Sequence, residues 1–578
     1  MDYDVVGEQI CLEIQRLIEL NRLRVYNGYV MRAIYSSLKP DAIRDALLDM
    51  KSTPDKRMAL SADAREEIDL RIGLSFSSYL SKHLRNNLPE LYKKQNDYYS
   101  YGPCKFPAFW FCYERALEVE KFEKVSYWRL SAKVKTKDGD IMTLKFKDKF
   151  SGSLKEVTED LKSILKSEFL KVEKVSTKNM TILKPKPMST IELLSSASKM
   201  LGISSFETLK TAEKLYHSGL CSYPRTGGDS YEEDFDEDGH LSLLMEQEGY
   251  EELAEDLIEH SNVKRVSDTI MAHPPITPMP MNSYMRGIFQ KAANKEPKKD
   301  HRNRRNKEDE VEEEKKKEII SKEVQLHDLI VKYFLATLSE DAQVTEISTM
   351  YSIKSHKFEV THSIFAEKGF CKYLDLDEAT KKKMNFEGES LKIGSICEII
   401  DISLQKWETA PEQYISEVEL IQSMKDNGIG TDGTIPKHIK KICDMKYVEL
   451  VKGEYTNRFI PTRLGVALAE GFLQIDEELI KPGVRKFIEE SYKQISDNEK
   501  EYNDVISETI DTFDEKLDVF LENVSKVSDK LKGLRSLKED FTTADKNLYD
   551  LDKQREVDGG DYLLEESTMA ATDDERSD

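Results

Sequence analysis

The chain contains 578 residues, 34% of them charged, and its formal net charge is −22. A chain of this length has room for about three to five domains. No apolar run approaches the roughly 20 residues that span a bilayer, which excludes a helical membrane protein as the class. The acidic total argues against a protein that coats duplex DNA, since such proteins carry an excess of lysine and arginine.

The cysteines argue against a structural metal site. Seven are scattered along the chain, at positions 11, 104, 112, 221, 371, 397 and 443. None forms a C-x-x-C pair, so the sequence predicts neither a zinc site nor a redox motif. Acidic residues concentrate at 229–238 and in the last twenty residues. A basic groove elsewhere is compatible with this, because a local field depends on where charges lie rather than on their sum.

The first 36 residues are predicted to form a strand, a helix and a second strand. The motif DYDVVGE at residues 2–8 places Asp2 and Asp4 on one face of a strand, because side chains alternate. Two such carboxylates suit Mg²⁺, which prefers oxygen ligands, and Glu8 follows at the start of a helix. A solvated Asp-x-Asp pair is the alternative that the pattern alone leaves open.

Periodicity predicts the next elements. Apolar residues at helical spacing predict a long helix over residues 61–92. Alternation over residues 125–147, around an Asp-Gly turn at 138–139, predicts a hairpin with one buried face. Residues 190–222 have a helical pattern again.

The motif GLCSYPRT at residues 219–226 places Tyr223 two positions before Arg225. A tyrosine hydroxyl, with a pKa of about 10, is a weak nucleophile at neutral pH. A neighbouring guanidinium favours the phenolate and neutralises charge on a phosphate under attack. The pair therefore suits covalent phosphoryl chemistry, although a structural tyrosine beside a turn proline has the same sequence.

Three further motifs carry candidate binding residues. AHPPITP at 272–278 contains His273, and SYGPCKFP at 100–107 contains Lys105 among aromatic residues that either stack on bases or lie buried. NGIGTDGTIP at 427–436 places two glycines before a predicted helix, where free backbone N–H groups can hold a phosphate. A simple turn is the alternative for this last motif.

The second half of the chain alternates between charged and structured segments. Residues 294–322 are almost entirely charged and predict a disordered insertion, for which a solvated linker and a DNA-binding role both stay open. Strand-like segments return over 341–405. A heptad seam from Ile506 to Leu531 predicts a helix that packs along another helix. The polar residues 546–578 predict a disordered acidic tail.

Taken together and in this order, the motifs resemble those of the type IA DNA topoisomerases, most closely the eukaryotic topoisomerase III branch. The resemblance extends from residue 2 to about residue 490. It implies a multidomain α+β toroid with a partial Toprim domain, a winged-helix-like domain, a β arch and a helical domain that carries the active-site tyrosine.

The resemblance also implies domain boundaries. They are 1–36 for the Toprim remnant, 37–120 and 411–545 for the two parts of the base domain, 121–187 for the first part of the arch, 188–293 for the helical active-site domain, 294–322 for the charged insertion, 323–410 for the return through the helical domain and arch, and 546–578 for the tail.

By resemblance, Tyr223 attacks a DNA phosphodiester, becomes linked to the 5′ phosphate and is later displaced as the strand reseals, so that no ATP is needed. Arg225 binds the phosphate under attack. The remaining implied sites are a DNA-binding set of His273, Arg65, Arg71, Lys105, Gly428, Gly430 and Thr431, and a Mg²⁺ set of Asp2, Asp4 and Glu8. The implied partners are single-stranded or underwound DNA, a RecQ-type helicase and an OB-fold protein, with no membrane, and the implied compartment is the nucleus.

The sequence departs from the family pattern in ways that keep a second function open. Val5 and Val6 replace the family's arginine and glutamate, and the first Toprim strand is expected upstream of Asp2. Gly227 and Gly228 replace a glutamate and a threonine, so the loop after Tyr223 is expected to be more flexible. The alternative function is a catalytically incomplete DNA-binding scaffold, or one subunit of a split enzyme. A tyrosine recombinase is disfavoured, because its tyrosine needs several surrounding arginine and histidine residues.

Overall fold

The computed structural model describes residues 5–21, 31–33, 40–50, 55–92, 98–135, 141–233, 235–247, 249–260, 273–295, 321–354, 356–375, 392–452, 457–532, 562–563 and 569–570. The predicted strands near the N-terminus, the Asp-Gly turn and most of the charged insertion and of the acidic tail lie outside these residues, whereas the insertion predicted to begin at residue 294 is still helical at 294–295. Asp2 and Asp4 also lie outside them.

The described part of the chain forms helices and strands in the following order. The first half contains α1 (Val5–Leu20), α2 (Pro40–Leu48), α3 (Lys56–Asn87), α4 (Lys105–Lys121), β1 (Ser126–Lys135), β2 (Ile141–Phe150), α5 (Leu154–Leu165), β3 (Phe169–Ile182), α6 (Thr190–Leu201), α7 (Ser205–His217), α8 (Glu237–Met245), α9 (Glu251–His260) and α10 (Ser283–Lys295). The second half contains α11 (Lys322–Leu338), β4 (Ala342–Ile353), β5 (His356–Glu367), β6 (Ile396–Glu408), α12 (Glu417–Asp426), α13 (Ile435–Asp444), β7 (Val448–Lys452), β8 (Asn457–Pro461), α14 (Arg463–Ile475), α15 (Gly483–Ser496), α16 (Tyr502–Asn523), α17 (Ser525–Leu531), β9 (Tyr562–Leu563) and β10 (Met569–Ala570).

Helix α3 is the long helix that the periodicity predicted, but it begins five residues earlier than expected. Asp55 precedes it in an extended conformation and accepts hydrogen bonds from the N–H groups of Arg57 and Met58, which satisfies the first turn. The helix ends at Asn87 because Leu88 precedes Pro89, and a residue before proline avoids the helical conformation.

The base unit consists of α1 to α4 and α12 to α17 with the β7–β8 hairpin, and it is organised around α3. Phe76 of α3 is almost fully buried, and its ring lies 5.2 Å from the ring of Phe520 on α16. The heptad prediction is thus confirmed as an intramolecular helix pair, although the helix breaks at Val524 between α16 and α17.

The arch sheet, β1 to β6, is antiparallel in the order β2-β1-β6-β3-β4-β5, with β9 and β10 paired to β6. The predicted hairpin is confirmed: β1 pairs with β2, and Leu130, Val134, Leu144 and Phe146 are buried. The sheet curls so far that Phe146 on one edge strand lies 4.6 Å, ring to ring, from Phe358 on the other. Helix α5 packs on the enclosed apolar face.

The helical unit, α6 to α11, contains the segment predicted as helical over 190–222. The segment forms two helices, and the prediction is wrong only for the residues between them and after the second. Gly202 adopts φ 61° and ends α6, and the following helix α7 stops at His217. Gly219 then adopts φ 70°, a left-handed conformation that glycine reaches without strain, so residues 218–222 form a turn.

The chain path separates the helical unit from the base unit. From α4 the chain enters the arch sheet through β1 and leaves it through β3 into the helical unit; it returns from α11 through β4 and leaves through β6 into α12. The sheet therefore supplies the described covalent route between the two units, and every direct contact between them is non-covalent. No described helix combines the length and the apolar character needed to cross a membrane.

Arg485 generates a stability prediction. Its side chain is fully buried and bonds Asp69 of α3 at 2.6 Å and Glu489 of α15 through Nε at 2.7 Å. Replacing Arg485 by Met leaves two half-buried carboxylates without their cation, so we expect Arg485→Met to lower the free energy of unfolding by about 3 kcal/mol. Urea unfolding followed by fluorescence measures it.

The matched control is Lys486→Met. Lys486 is the next residue, its side chain is 70% exposed, and its nitrogen lies 3.9 Å from Glu490. We expect a change within about 0.5 kcal/mol for this exposed pair. Equal effects of the two substitutions would contradict the structural role of Arg485.

Candidate active site

Tyr223 lies on the turn after α7, and a second segment holds that turn in place. The N–H of Ser222 donates to the carbonyl of Thr277 at 2.9 Å, and the N–H of Thr277 donates to Ser222 Oγ at 2.8 Å. Cys221 forms a β-bridge with Pro278. The Tyr223 motif and the His273 motif are fifty residues apart in sequence, yet the two segments are hydrogen-bonded to each other.

The Tyr223 ring is packed between two other rings. Its centroid lies 4.6 Å from that of His273 and 5.4 Å from that of Tyr216, the latter in an edge-to-face arrangement. Tyr223 is 6% exposed and is one of the residues that line a cavity of about 1330 Å³. The tyrosine is therefore held by its ring at the wall of this cavity.

Thr190, the first residue of α6, fixes the backbone on both sides of Arg225. Its hydroxyl donates to the carbonyl of Pro224 at 2.7 Å and accepts from the N–H of Thr226 at 2.8 Å. The Thr226 hydroxyl in turn donates to the carbonyl of His273 at 2.8 Å. Since all three residues are buried, these bonds hold the loop rigidly.

The Arg225 guanidinium is half-buried and paired with Glu213 on α7. Nε donates to Glu213 Oε1 at 2.9 Å, and Nη2 bonds the same oxygen. Arg225 also lies against the base unit: a Cβ on Gly433 would stand 3.2 Å from Arg225 Cδ. The residue predicted to bind phosphate is held at the contact between the two units.

Gly227 and Gly228 differ in their surroundings. A Cβ on Gly228 would stand 2.8 Å from the carbonyl oxygen of His273, a backbone atom that cannot easily move. Gly228 is buried, and its N–H donates to Thr226 Oγ1 at 2.9 Å. The expectation that this loop is loosened by its glycines is therefore wrong at Gly228, where glycine permits a close backbone approach. Gly227 is exposed.

The cavity is built from both units. Residues 223–228 and His273 line one side, and α1, α3, α15 and residues 431–434 line the other. Its lining carries both signs of charge, with Arg65, Arg225 and Lys437 among the cations. Burial raises the pKa of the Asp432 carboxyl, an effect that Lys425 partly offsets, and burial also raises the pKa of Glu489. Carboxyls with raised pKa in a cleft are suited to proton transfer.

The structure brings some of the predicted DNA-binding residues to this cavity and leaves others away from it. Arg65 on α3 and Thr431 line it. Arg71, six residues further along α3, lies on another face, where it is exposed and paired with Glu67 at 2.5 Å. Lys105 lines a second cavity of about 630 Å³, which lies further along α3 and shares Asp69 with the first, and donates to Ser100 Oγ at 2.6 Å.

The two glycines before α13 adopt left-handed conformations, φ 65° at Gly428 and φ 87° at Gly430. They turn the chain just before Thr431, which precedes α13. The N–H of Thr431 donates to Thr434 Oγ1 at 2.7 Å. A Cβ on Gly430 would stand 3.0 Å from that hydroxyl, so glycine is required there for space as well as for conformation.

Glu8 is not placed as a metal ligand. It lies in the first turn of α1, as predicted, but it is 1% exposed, accepts from the N–H of Asp55 at 2.7 Å and pairs with Arg32 at 2.8 Å. The described residues contain no cluster of three or more His, Cys, Asp or Glu side chains that would hold a metal ion. The described part of the chain therefore does not fit a Mg²⁺ site at Glu8, whose carboxylate joins α1 to the start of α3.

Three residues beside the Tyr223 loop were not among the predicted site residues: Glu213, Asp432 and Thr190. Asp432 lies inside the motif at 427–436, so its position was visible in the sequence. The contacts of Asp432 and Thr190 with the loop were not visible, because they join segments that are distant in sequence.

The two glycines after Arg225 give a prediction with a built-in control. We expect Gly228→Ala to destabilise the protein by about 1–3 kcal/mol and to disturb His273, because the new methyl group meets its carbonyl oxygen. For Gly227→Ala we expect less than about 0.5 kcal/mol, since the added carbon stands 3.5 Å from Asp432 Oδ2, an ordinary contact. Thermal unfolding of both variants measures this, and similar losses would contradict it.

Comparison with known proteins identifies the family. The family model for DNA topoisomerase matches residues 53–507. Human DNA topoisomerase 3-beta-1 is 30% identical over 508 residues, which cover 86% of this chain and 53% of the human protein. DNA topoisomerase 3-alpha of Mus musculus is also 30% identical, over 86% of this chain and 45% of its own length. The chain thus spans about half the length of these two relatives.

A shorter relative and a solved structure complete the comparison. DNA topoisomerase 3 of Schizosaccharomyces pombe is 29% identical over 86% of this chain and 74% of its own length. The full-length topoisomerase I of Thermotoga maritima superposes with a TM-score of 0.64 at 21% identity, covering 90% of this chain and 77% of that one, which confirms the multidomain α+β fold. The family match over most of the chain shows that it belongs to the type IA DNA topoisomerases, in their topoisomerase III branch.

Proposed function

We propose that the chain cleaves one strand of single-stranded or underwound DNA through Tyr223, passes another strand through the break and reseals it. The observation that carries this proposal is the position of Tyr223: it lines a cavity built jointly by two units, and Arg225 and His273 line the same cavity. A nucleophile that a ring stack holds still needs little reorganisation at the moment of attack.

In the proposed reaction, Tyr223 Oη gives up its proton to solvent and bonds to phosphorus while the bond from phosphorus to the 3′ oxygen breaks. The phosphodiester energy is kept in the phosphotyrosine, so the reverse attack reseals the strand without ATP. Arg225 neutralises the phosphate oxygens that gain charge. The phosphate competes for that guanidinium with Glu213, which binds it in the absence of DNA.

The leaving 3′ oxygen needs a proton, and the cavity offers carboxyl groups to supply it. We assign this role to Asp432, whose pKa burial raises and whose carboxyl lies beside the loop, 3.5 Å from where a Cβ on Gly227 would stand. Mg²⁺ use is consistent with the family, but no step is assigned to the metal, because the described residues do not form its site.

The resemblance to topoisomerase III extends the proposal to cellular context. On that basis we place the protein in the nucleus, together with a RecQ-type helicase and an OB-fold protein. Support comes from the eukaryotic relatives named above. Co-purification of the tagged protein with a helicase from a nuclear extract tests it.

The nucleophile is tested by Tyr223→Phe. We expect this variant to form no covalent adduct with a labelled single-stranded oligonucleotide in Mg²⁺ buffer, because the attacking oxygen is gone. The measurement is the detergent-resistant protein–DNA band. Tyr216→Phe is the matched control, since it removes the hydroxyl of the neighbouring ring and keeps the stack. An adduct in the Tyr223→Phe variant would refute the assignment.

A relaxation assay distinguishes the proposed enzyme from the alternative, which is a DNA-binding scaffold or one subunit of a split enzyme. If this chain alone relaxes negatively supercoiled plasmid with Mg²⁺, the scaffold is excluded. Oligonucleotide binding without relaxation would favour it.

Lys105 gives a pH prediction. Burial lowers the pKa of its amine to about 8, with Lys441 adding to the shift. Its positive charge is therefore present below pH 8 and lost above it. If Lys105 binds a DNA phosphate, affinity for an oligonucleotide should fall by up to about tenfold between pH 8 and pH 9. Fluorescence anisotropy measures this in the Tyr223→Phe background.

Lys105→Arg is the control, because arginine stays charged throughout this range. We expect its affinity to stay constant between pH 8 and pH 9. If affinity varied with pH in the same way for the lysine and arginine forms, Lys105 would not bind a DNA phosphate.

A further inference from the structure

A second contact joins the helical unit to the base unit, away from Tyr223. Ile191 and Leu194 of α6 and Leu209 of α7 are buried within the apolar core of the base unit, together with Leu420 and Ile421 of α12. Because the covalent route between the units runs through the arch sheet, this contact is non-covalent. Any separation of the two units must expose these side chains to water.

A carboxylate lies buried in this apolar contact. Glu417, the first residue of α12, is 1% exposed. It accepts hydrogen bonds from the N–H of Ser205 at 2.7 Å, from Ser198 Oγ at 3.2 Å and from Asn457 Nδ2 at 3.2 Å. Two of the donors belong to the helical unit and one to the base unit, so the carboxylate joins them.

The charge of Glu417 is stabilised by helix termini. Ser205 begins α7 and Glu417 begins α12, so the positive ends of two helices meet at this carboxylate. Ser204, the N-cap residue of α7, makes no side-chain capping hydrogen bond of its own. Glu417 supplies the missing cap from the other unit.

Helix α7 carries this contact to the active site. Its Glu213 binds Arg225, its Tyr216 packs on Tyr223, and the Tyr223 turn begins where it ends. A helix is stiff over this length, so a cap at its first residue fixes the position of the loop after its last.

We propose that Glu417 is a positioning residue: by capping α7 across the contact between the units, it latches the helical unit onto the base unit and seats the Tyr223 loop in the cavity. The consequence for strand passage rests on the proposed function, whereas the latch itself can be tested without DNA. The carboxylate also keeps the latch reversible. When the units separate it regains its hydration, and this offsets part of the free-energy cost of exposing the apolar side chains to water.

The test measures amide hydrogen exchange in the intact chain without DNA. We expect Glu417→Ala to accelerate exchange in the first turn of α7 and in α6 by roughly ten- to hundredfold, the range that corresponds to buried donors left without their acceptor. Exchange in α3 should be unchanged. Unchanged exchange in α6 and α7, or equal acceleration everywhere, would overturn the latch.

Ser205→Pro removes the same hydrogen bond from the opposite side. Proline is favoured at the first position of a helix and has no N–H, and Ser204 already has the extended conformation that precedes a proline. We expect accelerated exchange in α6. Adding Glu417→Ala should then cause a smaller acceleration than it causes in the parent chain, because only the bonds from Ser198 and Asn457 remain to be lost. Additive effects of the two substitutions would show that the hydrogen bond does not carry the latch.

Two controls separate the latch from general damage. Ser205→Ala keeps the N–H and removes a hydroxyl for which the described structure shows no hydrogen-bond partner. Glu419→Gln changes a carboxylate of the same helix that caps α12 and pairs with Arg115 of α4, so that both of these contacts lie within the base unit. In both variants we expect amide hydrogen exchange in α6 and α7 at the rates of the parent chain. Glu417→Gln retains one acceptor oxygen, so its exchange rates should lie between those of the parent chain and those of Glu417→Ala.

A kinetic readout connects the latch to the reaction. In single-turnover cleavage of an oligonucleotide, we expect Glu417→Ala to lower the maximal rate about tenfold or more with little change in half-saturation, because the DNA path on the base unit is intact. A change in half-saturation alone would contradict a positioning role. If the parent chain itself forms no adduct, the proposed function fails, and the exchange result still decides the latch.

Discussion

The non-covalent contact between the helical unit and the base unit is the constraint on which the candidate site depends. Tyr223 and His273 belong to one unit, and Asp432 and Arg65 to the other, so the cavity exists only while the two meet. Arg225 lies at the boundary, bonded to Glu213 on its own side and pressed against Gly433 on the other. Opening the contact would therefore dismantle the site without unfolding either unit.

The charge around the cavities differs from the net charge of the chain, and this bears on the anionic substrate proposed above. Arg485 is fully buried and bonds Asp69 and Glu489, two carboxylates that line the main cavity. Burial lowers the pKa of His438, which lines the second cavity, to about 3, and Arg485 and Arg65 add to the effect. The net charge of −22 resides largely elsewhere, as in the acidic stretch at 229–238, so the total says little about the groove.

Local features of the sequence predicted local structure well. The alternation at 125–147 gave the β1–β2 hairpin, and the heptad spacing gave the packing of α16 and α17, because both patterns are fixed by burial of one face. The pairing of β1 with β6 was not predictable, since it joins strands about 270 residues apart through backbone groups that carry no sequence signal. Glu8 illustrates the same limit: its motif suggested a ligand, whereas Arg32 and the N–H of Asp55 use its carboxylate.

The chemistry of the contact suggests why it combines apolar side chains with a buried carboxylate. Ile191, Leu194 and Leu209 alone would make a closed contact as permanent as any core, because each buried aliphatic side chain contributes about 1.5–3 kcal/mol. Glu417 is stable inside it only while Ser205, Ser198 and Asn457 donate to it, and it is fully stable in water without them. A contact of this kind closes in one geometry and opens at a moderate cost in free energy. An enzyme needs such a contact if it must hold a cleaved strand and then let another strand pass.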